Sequence, residues 1–327
     1  MKAVILLAGL GTRLRPHTYS RPKPLVNVAG KPVLGHILDG MSDLKFDEII
    51  FIVGYLGDQI EKYVHDKYPH LNARFVIQEE MRGQAHAINL AKPYIDQDVL
   101  IIFGDTIWET DWTRLQRVGS DGLIYCHEVP DPRRFGVVTL ENGYVTRFVE
   151  KPQTPISNLA VVGVYYFKAW QKLMQAIDDI ITLNIQTKGE FYLADAMQRM
   201  IEQGAKLEAE RISIWEDCGT REAILHTNRY LLGKNGVHVG ETEASHIIPP
   251  VYIAEGAQVR RSIVGPNVSI SEGAVIEDSI LRDSIISEDA EVRNAMLEWS
   301  LIGSDAHVRG AFERLNVGDS SEIDFAE

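Results

Sequence analysis

The stretch KAVILLAGLGTRLRP, residues 2–16, has an apolar run directly before a turn rich in glycine and in cationic side chains. Residues 3–8 are the kind of nearly continuous apolar run that forms a strand buried on both faces of a parallel sheet. Gly9 and Gly11 allow backbone N–H groups to turn toward a phosphate and allow the chain to approach it closely. A Gly-x-Gly alone also suits a structural turn. Residues 1–38, however, contain six Lys or Arg and no Asp or Glu, so we predict an anion-binding site here.

The turn matches neither of the two common phosphate-binding motifs. A Walker loop requires Gly-Lys-Ser/Thr at the end of its glycine run, where this chain has Gly11-Thr12-Arg13. A dinucleotide fingerprint requires a third glycine at the position of Arg13 or Leu14. Thr12, Arg13 and the nearby Lys23 nevertheless supply one hydroxyl and two cations, which are donors that a phosphate can use.

Short apolar runs alternate with helical patterns through the first half of the chain. Runs at residues 48–53, 74–78 and 99–103 are similar to the first one, and the intervening residues 33–44, 58–67 and 84–94 have helical length and spacing. This βαβ rhythm predicts an α/β fold with a doubly wound, mostly parallel Rossmann-like sheet, whose ligands bind at the carboxyl ends of the strands. We predict further strands at 122–127, 136–140, 145–149, 160–167 and 206–214, and helices at 170–180, 191–202 and about 220–232.

The sequence character changes after about residue 233. Aliphatic residues then recur every five or six positions, at Ile253, Val259, Val264, Ile270, Ile276, Leu281, Ile286, Val292, Leu297, Ile302 and Val308. This is the hexapeptide period of a parallel β-helix, in which each coil points one aliphatic side chain per face toward the axis. We therefore predict two domains: the α/β domain at residues 1–233 and, at 234–327, a linker with a β-helix of about four coils and an acidic cap or tail at 318–327. A β-sandwich of short strands is the alternative.

The composition excludes several classes of protein. The chain has 33 Lys and Arg against 46 Asp and Glu, and this formal net charge of −13 is unsuited to general binding of nucleic acid or anionic membranes. Cys126 and Cys218, the two cysteines, cannot build a disulfide framework, which fits a reducing compartment. The apolar run near the N terminus is too short to span a bilayer and precedes no small-residue cleavage pattern. We expect a cytoplasmic protein that binds neither nucleic acid nor membrane.

Two aspartates at the ends of predicted strands are candidate metal ligands. Asp105 follows the run at 99–103, and a carboxylate at that tip points into the ligand crevice, where it repels phosphate unless a cation lies between them. Asp217, within Trp215-Glu216-Asp217-Cys218-Gly219-Thr220, is the candidate second carboxylate. Mg²⁺ is commonly held by one or two carboxylates together with substrate phosphates. Each aspartate alone also suits a helix cap or a turn.

Seven separated motifs resemble the sugar-1-phosphate nucleotidyltransferase family in order and spacing. They are Gly9 to Pro16 with Lys23, Gln78 before Gly83-Gln84-Ala85-His86-Ala87, Gly104-Asp105, Phe135-Gly136-Val137, Glu150-Lys151-Pro152, Gly189-Glu190 and Asp217-Cys218-Gly219-Thr220. The resemblance covers residues 1–232, and the hexapeptide tail looks like the left-handed β-helix of the longer members. Among subfamilies, the motifs are most similar to the long-type glucose-1-phosphate thymidylyltransferases.

The resemblance implies that a sugar-1-phosphate oxygen attacks the α-phosphorus of a nucleoside triphosphate and releases pyrophosphate. The attacking phosphate is already ionised, so positioning and charge neutralisation are the work of the protein. By analogy, Arg13 holds the β- and γ-phosphates, Lys23 the α-phosphate region and Lys151 the sugar phosphate, while Asp105 and Asp217 hold Mg²⁺. The implied nucleotide-binding residues are Ala8, Gly9, Gly11, Thr12, Gln78, Gly83 and Gln84. The implied sugar-binding residues are Gly136, Glu150 and Gly163.

Several of these residues have structural alternatives. Gln78 also suits a solvent-facing strand end, and Glu150 suits a surface ion pair with Lys151. Gly136 and Gly163 also suit β-bulges. We expect His86 to cap or pack near its helix rather than to ionise in catalysis.

The base and the sugar are open, because many relatives have Leu-Gly-Thr-Ala where this chain has Arg82-Gly83-Gln84-Ala85. Glucose 1-phosphate with dTTP is the leading pair, and the alternatives are a UTP- or GTP-using enzyme or a non-catalytic sugar-nucleotide-sensing subunit. Acyl transfer by the β-helix has little support, because about four coils leave little room for a long groove and His307 is the only histidine on the repeat coils predicted from Ile253 to Val308. The exposed ends of such a helix favour a homo-oligomer.

Overall fold

The computed structural model describes residues 1–154, 156–311 and 317. Contacts divide the chain into two compact units, Met1–Thr227 and Asn228–Glu327, and this division falls inside a helix. The domain boundary at residue 233 stays a prediction, and the acidic cap or tail predicted at 318–327 lies outside the described residues.

The strands of the first unit are short and mostly apolar. They are β1 (Lys2–Leu6), β2 (Asn27–Val28), β3 (Lys31–Pro32), β4 (Glu48–Val53), β5 (Ala73–Ile77), β6 (Val99–Phe103), β7 (Thr106–Glu109), β8 (Gly122–Glu128), β9 (Gly136–Glu141), β10 (Tyr144–Glu150), β11 (Leu159–Phe167), β12 (Leu207–Arg211) and β13 (Ile214–Asp217). The helices are α1 (Val33–Gly40), α2 (Gly57–Lys67), α3 (Gln84–Ala91), α4 (Trp170–Thr182), α5 (Leu193–Glu202) and α6 (Arg221–Asn235), which continues into the second unit. Short 3₁₀ helices at Thr12–Leu14, His17–Tyr19 and Lys23–Leu25 form the connection after β1.

One large sheet organises the first unit, in the strand order β5-β4-β1-β6-β11-β8-β12-β10-β9. The strands β5, β4, β1 and β6 are parallel, whereas β11 runs antiparallel to its neighbours and the sheet is mixed beyond it. Every residue of β4 is buried, as expected for a parallel strand covered on both faces. The chain leaves β1 toward β4 but reaches β6 on the other side, so the strand order reverses between β1 and β6. Ligands of doubly wound sheets bind at such a reversal.

A small antiparallel sheet of β7 and β13 stands beside the carboxyl end of β6. The sequence predicted one strand at 206–214, but the chain forms β12 in the large sheet and then β13 in the small one. Strand β7 was not predicted. Its pairing with β13 has a direct consequence for the site, because it brings residue 217 opposite residue 106.

Helix ends differ from the predictions for local reasons. The helix predicted at 84–94 ends at Ala91 and continues as a 3₁₀ turn, because Pro93 has no N–H for the helical ladder. The helix predicted at 191–202 begins at Leu193, since the backbone of Phe191 bonds instead to residues 82 and 85. The helix predicted at 33–44 ends at Gly40, and glycine is a poor helix former.

The second unit is a three-sided parallel β-helix. Its strands are β14 (His238–Val239), β15 (Thr242–Glu243), β16 (His246–Ile247), β17 (Val251–Ile253), β18 (Gln258–Arg260), β19 (Ile263–Val264), β20 (Val268–Ile270), β21 (Val275–Glu277), β22 (Ile280–Arg282), β23 (Ile285–Ile286), β24 (Glu291–Arg293), β25 (Met296–Glu298), β26 (Leu301–Ile302) and β27 (His307–Arg309). They stack in three parallel sheets, with every third strand in register. Residues 238–309 therefore make four complete coils and two sides of a fifth. The first coil precedes Ile253, where the predicted period begins, and it carries His238 and His246, so the prediction that His307 is the only histidine on the coils is wrong.

The aliphatic ladders predicted from the hexapeptide period form the core of these coils. Ile253, Ile270, Ile286 and Ile302 are paired in consecutive coils. All eleven predicted positions lie in or against one buried apolar cluster. The predicted α/β sheet followed by a hexapeptide β-helix is confirmed, and the sandwich alternative is wrong, because the strands stack in parallel.

Within the part of the chain that the structure describes, no helix combines the length and the apolar composition needed to cross a membrane.

Candidate active site

A cavity of about 430 Å³ opens at the carboxyl ends of β1 and β6. The predicted site residues that line it are Ala8, Gly9, Gly11, Thr12, Arg13, Lys23, Gln78, Gly83, Gln84 and Asp105. The cavity thus lies at the point where the strand order reverses, as the βαβ pattern predicts. The cationic turn and the first candidate carboxylate share this one cavity.

The turn after β1 depends on Gly11, whose φ is 61°. A Cβ atom at this position would lie 3.0 Å from Lys23 Cβ and 3.0 Å from Thr18 Cγ2. The Thr18 hydroxyl donates a hydrogen bond of 2.8 Å to the Gly11 carbonyl oxygen. Glycine is needed here both for the left-handed backbone and for the close approach of the neighbouring chain.

Lys23 and Asp105 form an ion pair in the cavity, with 2.5 Å between Nζ and Oδ2. Burial raises the pKa of the Asp105 carboxyl, but the charge and hydrogen bond of Lys23, with the charge of Arg13, outweigh it and hold that pKa below its ordinary value. Asp105 is therefore ionised at neutral pH. Because Oδ2 of Asp105 is paired with Lys23, a further cation would have to approach the carboxylate from the side away from Lys23.

Strand β13 brings Asp217 next to Asp105. Asp217 pairs with Thr106 across the small sheet, and the N–H of Cys218 donates to the Asp105 carbonyl oxygen at 2.9 Å. Asp217 Oδ1 accepts a 2.7 Å hydrogen bond from the N–H of Gly219, a residue that lines the cavity. Burial, and then repulsion from Asp105, raise the pKa of the Asp217 carboxyl above its ordinary value.

The two carboxylates fit a divalent cation that is also held by substrate. Asp105 and Asp217 offer hard oxygen ligands at adjacent strand ends, and a cation would relieve the repulsion that raises the Asp217 pKa. Among the described residues, no group of three or more His, Cys, Asp or Glu side chains could hold a metal ion. The other ligands would have to be phosphate oxygens and water, which is the usual composition for Mg²⁺.

Gln78 follows β5 and contributes its amide to the cavity wall. Only 4% of the residue is exposed, so the alternative of a solvent-facing strand end is wrong. Gln78 Nε2 lies 3.2 Å from the Gly83 carbonyl oxygen and 3.2 Å from His86 Nδ1. The amide is therefore held between the turn before α3 and the first turn of that helix.

The segment before α5 holds the turn that contains Gly83. The Phe191 N–H donates to the Arg82 carbonyl oxygen at 2.9 Å, and a Cβ atom on Gly83 would lie 2.5 Å from the Phe191 carbonyl oxygen. Gln84 Oε1 accepts a 3.3 Å hydrogen bond from the Leu193 N–H. The Gln84 side chain, predicted to contact the nucleotide, thus also anchors the start of α5, and its amide nitrogen is the group left for a ligand.

The predicted sugar-binding residues and Lys151 lie outside the lining of this cavity. A Cβ atom on Gly136 would lie 2.8 Å from Glu150 Oε2, so the glycine makes room for this carboxylate. Lys151, at a φ of 46°, has its Nζ 3.2 Å from Glu150 Oε1, which is the ion pair expected as the alternative for Glu150. A Cβ atom on Gly163 would lie 2.9 Å from Cβ of Phe103, which does line the cavity. Their roles stay predictions.

Two charged residues near the site were not predicted from the sequence to be functional. Arg134 has a guanidinium nitrogen 3.9 Å from Asp217 Oδ2, and Glu190 lines the cavity. Their positions in the sequence could have indicated them: Arg134 directly precedes Phe135-Gly136-Val137, and Glu190 belongs to the Gly189-Glu190 motif.

A family model described as nucleotidyl transferase matches residues 2–234. The chain belongs to this family. A second model, described as the GlmU-like C-terminal hexapeptide, matches residues 228–308 of the nucleotidyltransferase. The resemblance inferred from the seven motifs and the hexapeptide period is confirmed.

Known relatives of this nucleotidyltransferase differ in name and length. It is 36% identical to the bifunctional protein GlmU of Methanocaldococcus jannaschii over 79% of this chain, and it spans 61% of that protein. It is 32% identical to the glucose-1-phosphate thymidylyltransferase of Streptomyces griseus over 88% of this chain and 87% of that one. A solved Bacillus anthracis structure, assigned as a glucose-1-phosphate thymidylyltransferase in complex with sucrose, superposes with a TM-score of 0.63 and 25% identity, covering 74% of this chain and 98% of that one.

Asp217→Asn is expected to stabilise the metal-free nucleotidyltransferase at neutral pH. A raised pKa means that the folded state binds this proton more tightly than the unfolded chain, so stability is lost as pH rises through the window between the two pKa values and stays lost above it. The variant should melt at a higher temperature at neutral pH, and the gain should vanish in acid. Asp131→Asn is the matched control, because Arg133 lowers the pKa of Asp131 to about 2 and removing that carboxylate should not stabilise the fold. A lower melting temperature for Asp217→Asn at neutral pH would contradict the prediction.

Proposed function

We propose that this nucleotidyltransferase transfers a nucleotidyl group from a nucleoside triphosphate to a sugar 1-phosphate, in a reaction that requires Mg²⁺. The leading pair of substrates is dTTP and glucose 1-phosphate. The single observation that carries the proposal is that Arg13, Lys23 and Asp105 line one cavity and that Asp217 lies beside them, within the influence of their charges. The nucleoside triphosphate and the sugar 1-phosphate are both polyanions that must approach each other. Cationic side chains, and a metal ion held by the carboxylates, would neutralise their charge at this reversal of strand order.

The proposed reaction exchanges one phosphorus–oxygen bond for another. An oxygen of the sugar 1-phosphate attacks the α-phosphorus, and the bond from that phosphorus to the oxygen bridging the α- and β-phosphates breaks, releasing pyrophosphate. Phosphate oxygens are ionised at neutral pH, so no side chain has to remove a proton. The cavity offers cations and backbone donors, which fits catalysis by positioning and charge neutralisation.

The residues divide the proposed work by their position. Arg13 would bind the β- and γ-phosphates, and Lys23 would bind the α-phosphate region after leaving its ion pair with Asp105. Asp105 and Asp217 would hold Mg²⁺, which supplies charge neutralisation to the phosphate oxygens when bound. The main-chain groups of Ala8, Gly9 and Gly11, and the Thr12 hydroxyl, would add hydrogen-bond donors along the cavity wall.

In this proposal, one set of residues recognises the base and another recognises the sugar. Gln78, Gly83 and the Gln84 amide would contact the base, since they form one wall of the cavity. Glu150 would accept hydrogen bonds from sugar hydroxyls, and Lys151 would bind the sugar phosphate. The glycines at 136 and 163 would leave room for the sugar ring.

The substrate pair is supported by names of relatives rather than by geometry. The Streptomyces griseus relative and the Bacillus anthracis structure are both named for glucose 1-phosphate and thymidylyl transfer. UTP or GTP as the nucleotide, or a non-catalytic sugar-nucleotide-sensing role, are the alternatives. We further propose that the protein acts in the cytoplasm.

The experiment that tests this function is pyrophosphate release from purified protein over a matrix of five nucleoside triphosphates and several sugar 1-phosphates. We expect release to require both substrates and Mg²⁺, and to be fastest with dTTP and glucose 1-phosphate. Preference for UTP or GTP would replace the leading pair but keep the reaction. Binding of sugar nucleotides without any release would favour the sensing role. An added arm with acyl-CoA and an amino-sugar phosphate should release no thiol.

A homo-oligomer is expected in solution. Among the residues that the structure describes, the final coil consists of β26 and β27, where Ile302 and Val308 are less buried than the matching residues of inner coils. Stacked coils need a cover for such an apolar end. Sedimentation velocity at micromolar concentration should therefore report a species larger than one chain, and a monomer would contradict this prediction.

A further inference from the structure

The side chain of Gln78 is held in one orientation by two acceptors. The Gly83 carbonyl oxygen can only accept, so the amide group 3.2 Å away must be the NH₂. The second N–H of this group is directed to His86 Nδ1, also at 3.2 Å, and Nδ1 accepts it when the ring is neutral with its proton on Nε2.

The other half of the amide has no partner within the protein. Among the described residues, none donates a hydrogen bond to Gln78 Oε1. The residue is only 4% exposed, and it lines the cavity. This oxygen is not among the fully buried atoms that lack a partner, so it is open to the cavity, where water or a ligand can donate a hydrogen bond to it.

We propose that His86 is a positioning residue that keeps the Gln78 oxygen directed at the base, and that the site thereby selects bases with a ring N–H at this point. This inference rests on the proposed function, which puts the base at Gln78. Uracil and thymine present such an N–H at N3, and guanine presents one at N1. Cytosine and adenine present an acceptor nitrogen at the equivalent position and would leave two acceptors facing each other.

The His86 ring is neutral under the conditions where this selection operates. Burial and then the charge of Arg82 lower the pKa of His86, and the charge of Glu80 opposes them without reversing the shift. Protonation would put a hydrogen on Nδ1 and turn it from an acceptor into a donor facing the Gln78 NH₂. The selection should therefore persist through neutral pH and weaken only in acid.

The test compares two substitutions that differ in one acceptor. His86→Phe keeps a ring but offers nothing to the Gln78 NH₂, whereas His86→Asn has an oxygen that can replace Nδ1. The quantity measured is the ratio of kcat/KM for UTP to that for CTP at a fixed sugar 1-phosphate, with inhibition by CTP as the readout where its turnover is too slow. We expect His86→Phe to lower the ratio by roughly tenfold, the size of one hydrogen bond of this kind, and His86→Asn to retain most of it.

The controls separate this inference from the proposed function. His70→Phe replaces an exposed histidine outside the cavity and should leave the ratio unchanged. If His86→Phe does not fold, the pH dependence of the UTP-to-CTP ratio tests the inference instead. The ratio should fall in acid for the wild-type protein and should stay constant for His86→Asn. An unchanged ratio in a folded His86→Phe, or a wild-type preference for CTP or ATP, would overturn the inference while pyrophosphate release still stands. Absence of release with every substrate pair would instead overturn the proposed function.

Discussion

Asp105→Asn is expected to lower kcat for pyrophosphate release by about two to three orders of magnitude, the usual cost of removing one electrostatic contact to a transition state. The substitution keeps the shape of the side chain but removes the negative charge that lies against Lys23 and next to Asp217. A neutral amide is a weaker ligand for Mg²⁺, so the Mg²⁺ concentration needed for half-maximal rate should rise as well. Initial rates of pyrophosphate release over a series of Mg²⁺ concentrations measure both effects.

The matched control for this variant is Asp66→Asn. Asp66 is an exposed aspartate on α2 that also pairs with a lysine, Lys62 at 2.7 Å, but it lies outside the cavity. Its variant should keep the wild-type rate and the wild-type Mg²⁺ dependence. An Asp105→Asn protein that folds and releases pyrophosphate at the full rate would exclude Asp105 as a metal ligand.

Arg13→Ala is expected to lower kcat/KM for the nucleoside triphosphate by about 10²- to 10³-fold. Arg13 lines the cavity, and its Nη2 would lie 3.1 Å from a Cβ atom on Gly219. Its charge also acts on the neighbouring Asp217 carboxyl, whose pKa it lowers against the effect of burial. In the proposed reaction, its removal would leave the departing pyrophosphate without a cation that can form more than one hydrogen bond to phosphate oxygens. Steady-state kinetics with the nucleotide varied at saturating sugar 1-phosphate should show the loss.

Arg15→Ala is the neighbouring control for Arg13→Ala. Arg15 belongs to the same loop, but its guanidinium lies over the ring of Tyr19, 4.9 Å from the ring centre, and it does not line the cavity. Arg13→Lys should recover part of the lost activity, since it restores the charge without the planar group. If Arg15→Ala lost as much activity as Arg13→Ala, the general charge of the loop and not a specific contact would be the explanation.

The elements that the sequence predicted best are those with a strong local period. Strands β4 and β6 have the predicted bounds at both ends, because each is an uninterrupted apolar run buried in a parallel sheet. The β-helix core was predictable residue by residue for the same reason, since its period repeats along the chain. Strands β7 and β13 were not predicted, because each is four residues long and is stabilised by the other across a large sequence separation.

In the candidate site, too, the features set by neighbouring residues were predictable and those set by distant residues were not. The cationic turn could be found from the sequence because Gly11, Arg13 and Lys23 are close together in the chain and follow the first strand directly. The meeting of Asp105 with Asp217 depends on the pairing of β7 with β13, and local patterns carry no information on that register. The orientation of the Gln78 amide and the anchoring of Gln84 by α5 likewise depend on contacts made only after folding.

The sequence by itself determined the two architectures and the cationic turn, because hydrophobic period and glycine spacing act over a few neighbouring residues. Only the tertiary structure decided which groups come together at the cavity wall: Asp217 beside Asp105, and the neutral imidazole of His86 beside the Gln78 amide. The physical reason is that an electrostatic or hydrogen-bonded contact between distant residues depends on distances of a few ångströms, which strand pairing and helix packing set and which no local pattern encodes.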